Sequence, residues 1–460
     1  MKPKYFAVAF LWMISIGAYS QHEHHMQADT SMPKAHSHAM SKDTMPMMHD
    51  SAMQMHTNMD MPMSHAFSLN LPMNRNGSGT GWLPDRAPMY GKMIHAKKWM
   101  YMLHGSVWLR YNNQDFTDKG SRGDSRFDAP SWAMFMGQRK VGKKGLFHFS
   151  TMFSLDPIIE GGKGYPLLFQ TGESYEGKAL VDRQHPHDLI SELAVSYSYA
   201  FNKNTDAFIY LGYPGEPALG PVTFMHRPSS LDNPNSPISH HWVDATHITF
   251  GVATIGVRSG KFKIEGSSFT GREPNENRYS FDKPRFDSWS GRLSFNPTSN
   301  WAMQVSHGYV KSAEELHPEE NIYKTTASAI YSKEVGNGKR IDATALWGMN
   351  KQKEHDGENA ILLEAAWRNR KNSLYARYEW TEKSAEELVL ADQFSDHTIF
   401  PVQAFTVGDN FDLFKVKNIN VAAGAQWSIY HAPAALNEIY GKNPMGFQVY
   451  IRLYPSLMKM

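Results

Sequence analysis

The sequence has no cysteine. That absence removes thiolate nucleophiles, thiolate-held zinc, iron–sulfur clusters and any disulfide scaffold. Charge of one sign is missing too: 47 Lys+Arg against 45 Asp+Glu leave a formal net charge of +2 over 460 residues. No basic stripe therefore argues for nucleic acid as a partner. Long apolar runs are also scarce. With 20% charged residues and a mean hydropathy of −0.50, a bundle of membrane-spanning helices is excluded. A chain of this length ordinarily predicts two or three soluble domains. What is plentiful is methionine (27), histidine (22) and aromatic residues (13%), and these excesses have separate origins along the chain.

Residues 1–20 read as a secretory signal peptide. Met1-Lys2-Pro3-Lys4 is basic, Tyr5 to Tyr19 is apolar, and Ala18-Tyr19-Ser20 places small residues before Gln21. The apolar run falls short of the roughly 20 residues that a spanning helix needs. No cysteine follows it, so a lipid anchor is not expected. The mature chain is expected to begin near Gln21 and to leave the cytoplasm.

Between Gln21 and Met73 stand 8 of the 22 His and 12 of the 27 Met, with almost no large aliphatic residues. Such a segment cannot bury enough apolar surface to offset its ordering entropy, so residues 21–73 are predicted to be a disordered tail. The ligand pattern is specific: His22, His24, His25 and Met26; His36 and His38; Met45, Met47, Met48 and His49; Met53, Met55 and His56; Met59, Met61 and Met63. Thioether sulfur is a soft neutral donor suited to Cu(I) and Ag(I), and imidazole serves both oxidation states of copper. Met-x-Met spacing in an extended chain puts two sulfurs on one side, where a third Met or a His completes a trigonal site. Thioethers also escape the disulfide chemistry that thiols meet outside the cytoplasm. The tail is expected to capture Cu(I); zinc or nickel held by its histidines is the alternative.

A Met-rich leader of this kind ahead of a β-rich body resembles the outer-membrane copper-resistance protein B family of Gram-negative bacteria. The resemblance covers the leader type and the architecture, and implies a barrel with the Met-rich segment in the periplasm. This body, from Trp99 to Tyr454, is longer than that family's barrel, so no residue-level site carries over. Two further stretches, Asp182-Arg183-Gln184-His185-Pro186-His187-Asp188 and Ser239-His240-His241-Trp242-Val243-Asp244, resemble a group of barrel-like exported proteins found alongside heavy-metal efflux systems. Periplasmic efflux components are the partners that this second resemblance implies.

From Trp99 onward the chain alternates with period 2, as membrane-spanning strands do. Leu193, Val195, Tyr197, Tyr199 and Phe201 face one way, while Ala194, Ser196, Ser198 and Ala200 face the other. Trp289, Leu293 and Phe295 oppose Ser290, Arg292 and Ser294. Leu374, Ala376, Tyr378 and Trp380 oppose Tyr375, Arg377, Glu379 and Thr381. Phe447, Val449, Ile451 and Leu453 oppose Gln448, Tyr450, Arg452 and Tyr454. Sixteen such segments are predicted. They lie near 99–112, 130–140, 145–155, 189–201, 204–213, 245–258, 260–271 and 286–296, then 300–311, 322–334, 338–350, 358–369, 372–382, 401–411, 417–430 and 444–454. Short connections tend to alternate with long ones, as periplasmic turns do with outer loops.

The expected fold is therefore all-β: a transmembrane antiparallel barrel of about sixteen strands over residues 99–460. Residues 74–98 are expected to be a linker or partial plug. Its stretch Gly77 to Trp82 has no Lys and no following helix, so no phosphate loop is supported. Outer-membrane lipid is the expected surrounding, with the tail in the periplasm. A soluble sandwich or propeller would also alternate, but would not explain the leader and the loop asymmetry.

Two long connections gather metal-ligand residue types: His185, His187 and Asp188 in one, and His226, His240, His241, Asp244 and His247 in the other. They flank the fourth and fifth predicted strands and so lie near one another. In an extended segment His185 and His187 point to the same side. Imidazole with carboxylate suits Cu(II), Zn(II) or Ni(II); the bland alternative is a rigid His-Pro-His turn. His148, in the polar phase of its segment, is expected to satisfy hydrogen bonds in the lumen. No organic cofactor is expected. No Gly-x-Ser-x-Gly elbow occurs, and Ser–His or Asp–His pairs could be assembled from too many loop residues to specify an enzyme. The function expected is copper or silver binding, resistance or transport at the outer membrane. The runner-up is a porin-like channel for another solute with the tail as an incidental metal sponge.

Overall fold

A strand with unlike faces must bury one of them, and the way this chain solves that problem fixes its architecture. The computed structural model describes residues 64–116, 120–353 and 356–458. The leader and every expected tail ligand from His22 to Met63 lie outside the described residues. The first strands in chain order are β1 (Ser64–His65), β2 (Ser68–Pro72), β3 (Lys92–Ala96), β4 (Trp99–Gln114), β5 (Ser125–Asp128), β6 (Ser131–Val141) and β7 (Gly145–Phe153). They continue with β8 (Tyr165–Tyr175), β9 (Lys178–Gln184), β10 (Ile190–Asn202), β11 (Thr205–Gly212), β12 (Val252–Ser259), β13 (Phe262–Phe269), β14 (Ser288–Phe295) and β15 (Trp301–Lys311). The last are β16 (Asn321–Gly336), β17 (Lys339–Gln352), β18 (Glu358–Asn369), β19 (Asn372–Ser384), β20 (Ile399–Val416), β21 (Ile419–His431) and β22 (Met445–Pro455).

Sixteen of these, β4, β6, β7 and β10 to β22, pair antiparallel with their neighbours into a closed barrel. Closure is made by β22 on β4, with Gly446 opposite Gln114 and Leu453 opposite Val107. Because β4 is longer than its partners reach, β3 and β5 fill its two free edges, β3 along Trp99–Leu103 and β5 along Arg110–Asn113.

The polarity of the wall is inverted relative to a soluble sheet. In β10, Leu193, Val195, Tyr197, Tyr199 and Phe201 are 39–53% exposed, whereas Ala194, Ser196 and Ser198 are buried. Trp289 and Leu293 point outward from β14 while Ser290, Arg292 and Ser294 are buried; in β22 Val449 and Ile451 are outside and Gln448, Tyr450 and Arg452 inside. Apolar-out and charged-in is the pattern of a wall bathed in lipid. With no open edge it satisfies every strand's hydrogen bonds inside the membrane. The chain is a transmembrane β-barrel.

All sixteen predicted segments become barrel strands, with one correction. The segment predicted over 245–258 is strand only from Val252, since Ala245–His247 forms a 3-10 turn directly after the helical turn His240–Val243. The alternation of Ile248 and Phe250 reads as strand, but both side chains are buried in the loop that this segment closes. Ser64 to Met73, predicted as tail, form β1, β2 and the start of a 3-10 helix. Ser68 donates to Asp206 at 2.7 Å and Phe67 packs on Phe208 at 5.1 Å between ring centroids, so the polar lumen supplies partners that the segment cannot supply itself.

Residues 64–91 and the connection after β11 run through the lumen, and the hairpin β8–β9 enters it as well. Residues 64–91 bond to inward-facing side chains around the wall: Gln138 donates to the Ser64 carbonyl, Arg292 to Thr80 Oγ1 at 2.8 Å and Asn296 to the Leu83 carbonyl. The connection after β11 crosses as well. Ser267 and Ser306 accept from the backbone of Ala218 and Gly220, Arg110 donates to Asn235, and Arg368 and Arg452 hold Asp232. The two segments touch where Gly77 meets Val222; a Cβ on Gly77 would lie 2.3 Å from the valine.

Candidate metal centre

The histidines come together because two short pieces of chain are held against each other in the lumen. The hairpin β8–β9 delivers the extended stretch after Gln184, and there Pro186 keeps the backbone from turning. The other piece is the helical turn His240–Val243, with Ser239 anchored on the wall by Glu379 at 3.0 and 2.8 Å. Asp244 and the following 3-10 turn then bring His247 back beside His240.

Five imidazoles converge. Ring centroids lie 5.5 Å apart for His185 and His241, 5.3 Å for His240 and His241, 5.1 Å for His240 and His247, and 5.4 Å for His187 and His247. His185 is 6.0 Å from His240. One ring nitrogen each of His185, His240 and His241 lies within 4.8 Å of the other two. Ligation at about 2.0–2.1 Å brings such nitrogens to roughly 3–3.4 Å, which small ring rotations supply.

Each ring is fixed from behind. The Nδ1 atoms meet Glu173 at 3.1 Å from His185, Asp156 at 2.7 Å from His187, Asp244 at 2.6 Å from His240, and Glu273 at 3.3 Å from His241. His247 Nδ1 meets the Asp244 carbonyl at 3.0 Å. These acceptors place the proton on Nδ1 and leave a lone pair on Nε2. All five Nε2 atoms are buried and have no hydrogen-bond partner among the described residues. Five orphaned acceptors would be costly in a metal-free core. Carboxylate-fixed imidazoles with open Nε2 lone pairs are the arrangement in which histidine binds a transition metal.

Electrostatics agree with this arrangement. Burial pushes His185 and His247 well below the usual imidazole range and His241 down to about 3, so these rings are neutral. Burial would raise Asp244, but Arg227 at 2.5 Å and His240 hold it well below the carboxylate range. Burial pushes Glu173 up against the pull of Arg278, and pushes Glu273 up as well. A cation at the centre would favour the ionised form of both.

Of the residues singled out from sequence, His185, His187, His240, His241 and His247 are brought together. Asp244 stands behind His240 as a support. Asp188 faces Arg278 at 3.6 Å and no imidazole. His226 lies apart, its ring 4.8 Å from Trp132 and 5.7 Å from His104. His148 differs from expectation: it is buried and its Nε2 has no partner among the described residues, because Phe67 packs beside it at 6.0 Å. Sequence reasoning missed Asp156, Glu173, Glu273 and Gly172. Gly172 has φ +107°, and a Cβ there would fall 2.3 Å from His241 Nε2. Only glycine leaves room for that ring.

Beside His241 opens a cavity of ≈ 380 Å³ whose lining includes Glu273, Glu314, Glu320, Glu387 and Lys324. It lies at the end of the barrel that carries the long loops. Burial in a shared negative field pushes Glu314 and Glu387 up to about 7.

No protein-family model matches the sequence, and no curated protein matches it, so the resemblance to the copper-resistance protein B family gains no sequence match. Among solved structures the barrel is similar to OmpF of Salmonella typhi in complex with daunomycin, at 9% identity over 79% of this chain and 100% of that one, with a TM-score of 0.49. It is also similar to an anion-selective porin from Comamonas acidovorans, at 12% identity over 77% and 99% of the two chains and a TM-score of 0.45. The outer membrane protein OmpT of Vibrio cholerae is a third, at 8% identity over 79% and 100%, TM-score 0.44.

Proposed function

We propose that this barrel handles copper at the outer membrane, holding the ion in the lumen on His185, His240 and His241 with His187 and His247 completing the ligand set. The observation that carries this reading is the set of five buried Nε2 atoms without partners, each ring braced through Nδ1. An all-imidazole set suits copper in both oxidation states and also Zn(II) or Ni(II). The Met/His tail adds a tethered set of softer sites that retain Cu(I) by rebinding. Purified full-length protein should bind one Cu(II) with the paramagnetic spectrum of nitrogen ligation, and Cu(I) at further sites. Deleting residues 21–63 should remove most of the Cu(I) capacity, lower copper tolerance of the host, and leave the single Cu(II) and the folded barrel intact. Loss of the Cu(II) site on that deletion would overturn the division of labour. The deletion stops at Met63 because β1 and β2 pack in the lumen.

The acidic cavity is the entrance. Clefts lined by one sign of charge concentrate counter-ions and raise association rates. Glu314 faces Glu273, Glu320, His317 and Lys324, while Glu387 faces Lys383, Lys324 and Glu314. Because burial pushes Glu314 and Glu387 up to about 7, the cavity gains negative charge between pH 6 and pH 8. Cu(II) uptake, followed by stopped-flow quenching of tryptophan fluorescence, should therefore accelerate from pH 6 to 8. The paired substitution Glu314→Gln with Glu387→Gln should slow uptake about tenfold at pH 8 and low salt, and flatten the pH profile. Equal rates and slopes in the two proteins would refute this entrance.

A further inference from the structure

Ten of the thirteen described methionines sit in two touching clusters, and the five-histidine centre uses none of them. Met73, Met89, Met93, Met100, Met102 and Met458 pack at the end of the barrel where the strand-to-strand turns are short; Met134, Met152 and Met225 pack deeper, and Met136 touches both groups. The register explains the grouping. Met102 stands opposite Met136, His104 opposite Met134, and Met134 opposite Met152, so three adjacent strands show thioethers and an imidazole on one inner patch. Met225 and His226 of the lumen-crossing connection lie on that patch. The inner rows elsewhere are different in kind, with Thr254, Ser267, Glu265, Ser290 and Arg292 in β12 to β14.

Apolar filling alone does not account for this patch. A filler of inner wall is served by leucine or valine at lower conformational cost than methionine, and filler does not recruit imidazoles. The His104 Nε2 atom is buried without a partner among the described residues, and its ring lies 5.7 Å from His226. Trp132 packs against both rings, at 5.2 and 4.8 Å, and offers a π face that favours a cation. Burial pushes His226 down to about 3, which leaves it a neutral donor.

We propose that Met134, Met152 and Met225, with His104 and His226, form a second site that binds a soft monovalent cation, Cu(I) or Ag(I). The site rests on the copper-handling reading for its purpose, but not for its chemistry. Thioethers with imidazole select a soft d10 ion over Zn(II), Mg(II) or Ca(II). Its position links the two ends of the lumen. The outer methionine cluster connects it to the short-turn mouth, and Phe224, adjacent to Met225, packs on His240 at 5.6 Å. Only an ion that is already Cu(I) or Ag(I) passes between the two sites, since imidazole accommodates Cu(I) as well and no electron is exchanged; Cu(II) held on the histidines is not passed on.

The test uses full-length protein with 13C-methyl methionine and silver nitrate in chloride-free buffer. The methyl resonances of Met134, Met152 and Met225, assigned by single Met→Leu variants, should shift on Ag(I) addition; those of Met303 and Met349, which belong to neither cluster, should not. The variant Met134→Leu, Met152→Leu, Met225→Leu keeps side-chain volume, and should lose one retained Ag(I) with at least a tenfold fall in affinity of that class. Folding of the variant is checked by heat-modifiable migration. Unmoved Met134, Met152 and Met225 methyls in a protein whose tail methionines respond would overturn the proposal. A variant with His185, His240 and His241 all changed to Ala separates the two ideas: the methyl shifts persist there if the thioether site stands alone, even if the five-histidine centre fails to bind copper.

Discussion

Changing His185, His240 and His241 to alanine together is expected to abolish stoichiometric Cu(II) binding while the protein still migrates as a folded, heat-modifiable barrel. The three residues supply the nitrogens that already lie within 4.8 Å of one another, and the remaining pair, His187 and His247, cannot fill a four-coordinate shell. Removing three of five imidazoles should weaken binding by at least a thousandfold, about 4 kcal/mol at 1.4 kcal/mol per tenfold. The barrel should survive because its ladder does not pass through the site. The carboxylates left behind also keep partners: Glu173 has Arg278 and Asp244 has Arg227. Each of the three carboxylates loses its imidazole; Glu273 has no arginine in its place among the described residues, and burial already pushes it toward the protonated form. Isothermal titration with Cu(II), paired with the spin spectrum of the bound ion, decides the matter. Unchanged affinity in the triple variant would remove the lumen centre from the copper reading and leave the tail to carry it.

How far the sequence disclosed this molecule depends on how local each signal is. Barrel strands are locally encoded: a lipid face and a lumen face force alternation over eight or more residues, and most barrel strands show it, β4 and β6 least because their inner rows carry Met. The pieces missed, β1 to β3, β5 and the β8–β9 hairpin, are short, or have polar composition and interrupted register. Their strand partners are near in sequence, but the regular pairs are too few for a periodicity to mark them. The segment after Asp244 misled for the opposite reason, because Ile248 and Phe250 alternate yet are buried in a folded loop. At the centre, His185, His187, His240, His241 and His247 were legible because ligand residues clustered in two motifs. The bracing carboxylates were not. Asp156 and Glu273 stand among 45 acidic residues, and nothing near them shows which imidazole they will meet. Asp244 was legible as part of the motif but misread as a ligand, since its role follows from the helical turn that sets it one turn from His240.

That supporting role makes Asp244 the position where a single substitution should cost most. Its carboxylate accepts from His240 Nδ1 at 2.6 Å, from the Phe224 amide at 3.0 Å and from Arg227 at 2.5 Å. Arg227 in turn reaches Glu364 of β18 at 3.0 Å, and Arg377 of β19 meets the same Glu364 at 2.9 Å. The histidine turn is thus tied to the barrel wall through one buried charge network. Asp244→Asn retains the shape and an acceptor for His240 but weakens the hold on its tautomer, so Cu(II) affinity should fall 10- to 100-fold, as for other residues that brace a ligand. Asp244→Ala also strips Arg227 of one carboxylate in a dry interior and leaves the Phe224 amide unpaired. That loss should destabilise the lumen segment by about 3–5 kcal/mol. Protease nicking within residues 213–251 at temperatures where the wall remains folded would report it. The two variants should therefore part company: Asn lowers affinity with little nicking, whereas Ala lowers both affinity and resistance. If Asp244→Ala is as resistant as the unsubstituted protein, Arg227 is satisfied by Glu364 alone and the tie between the histidine turn and the wall lies elsewhere.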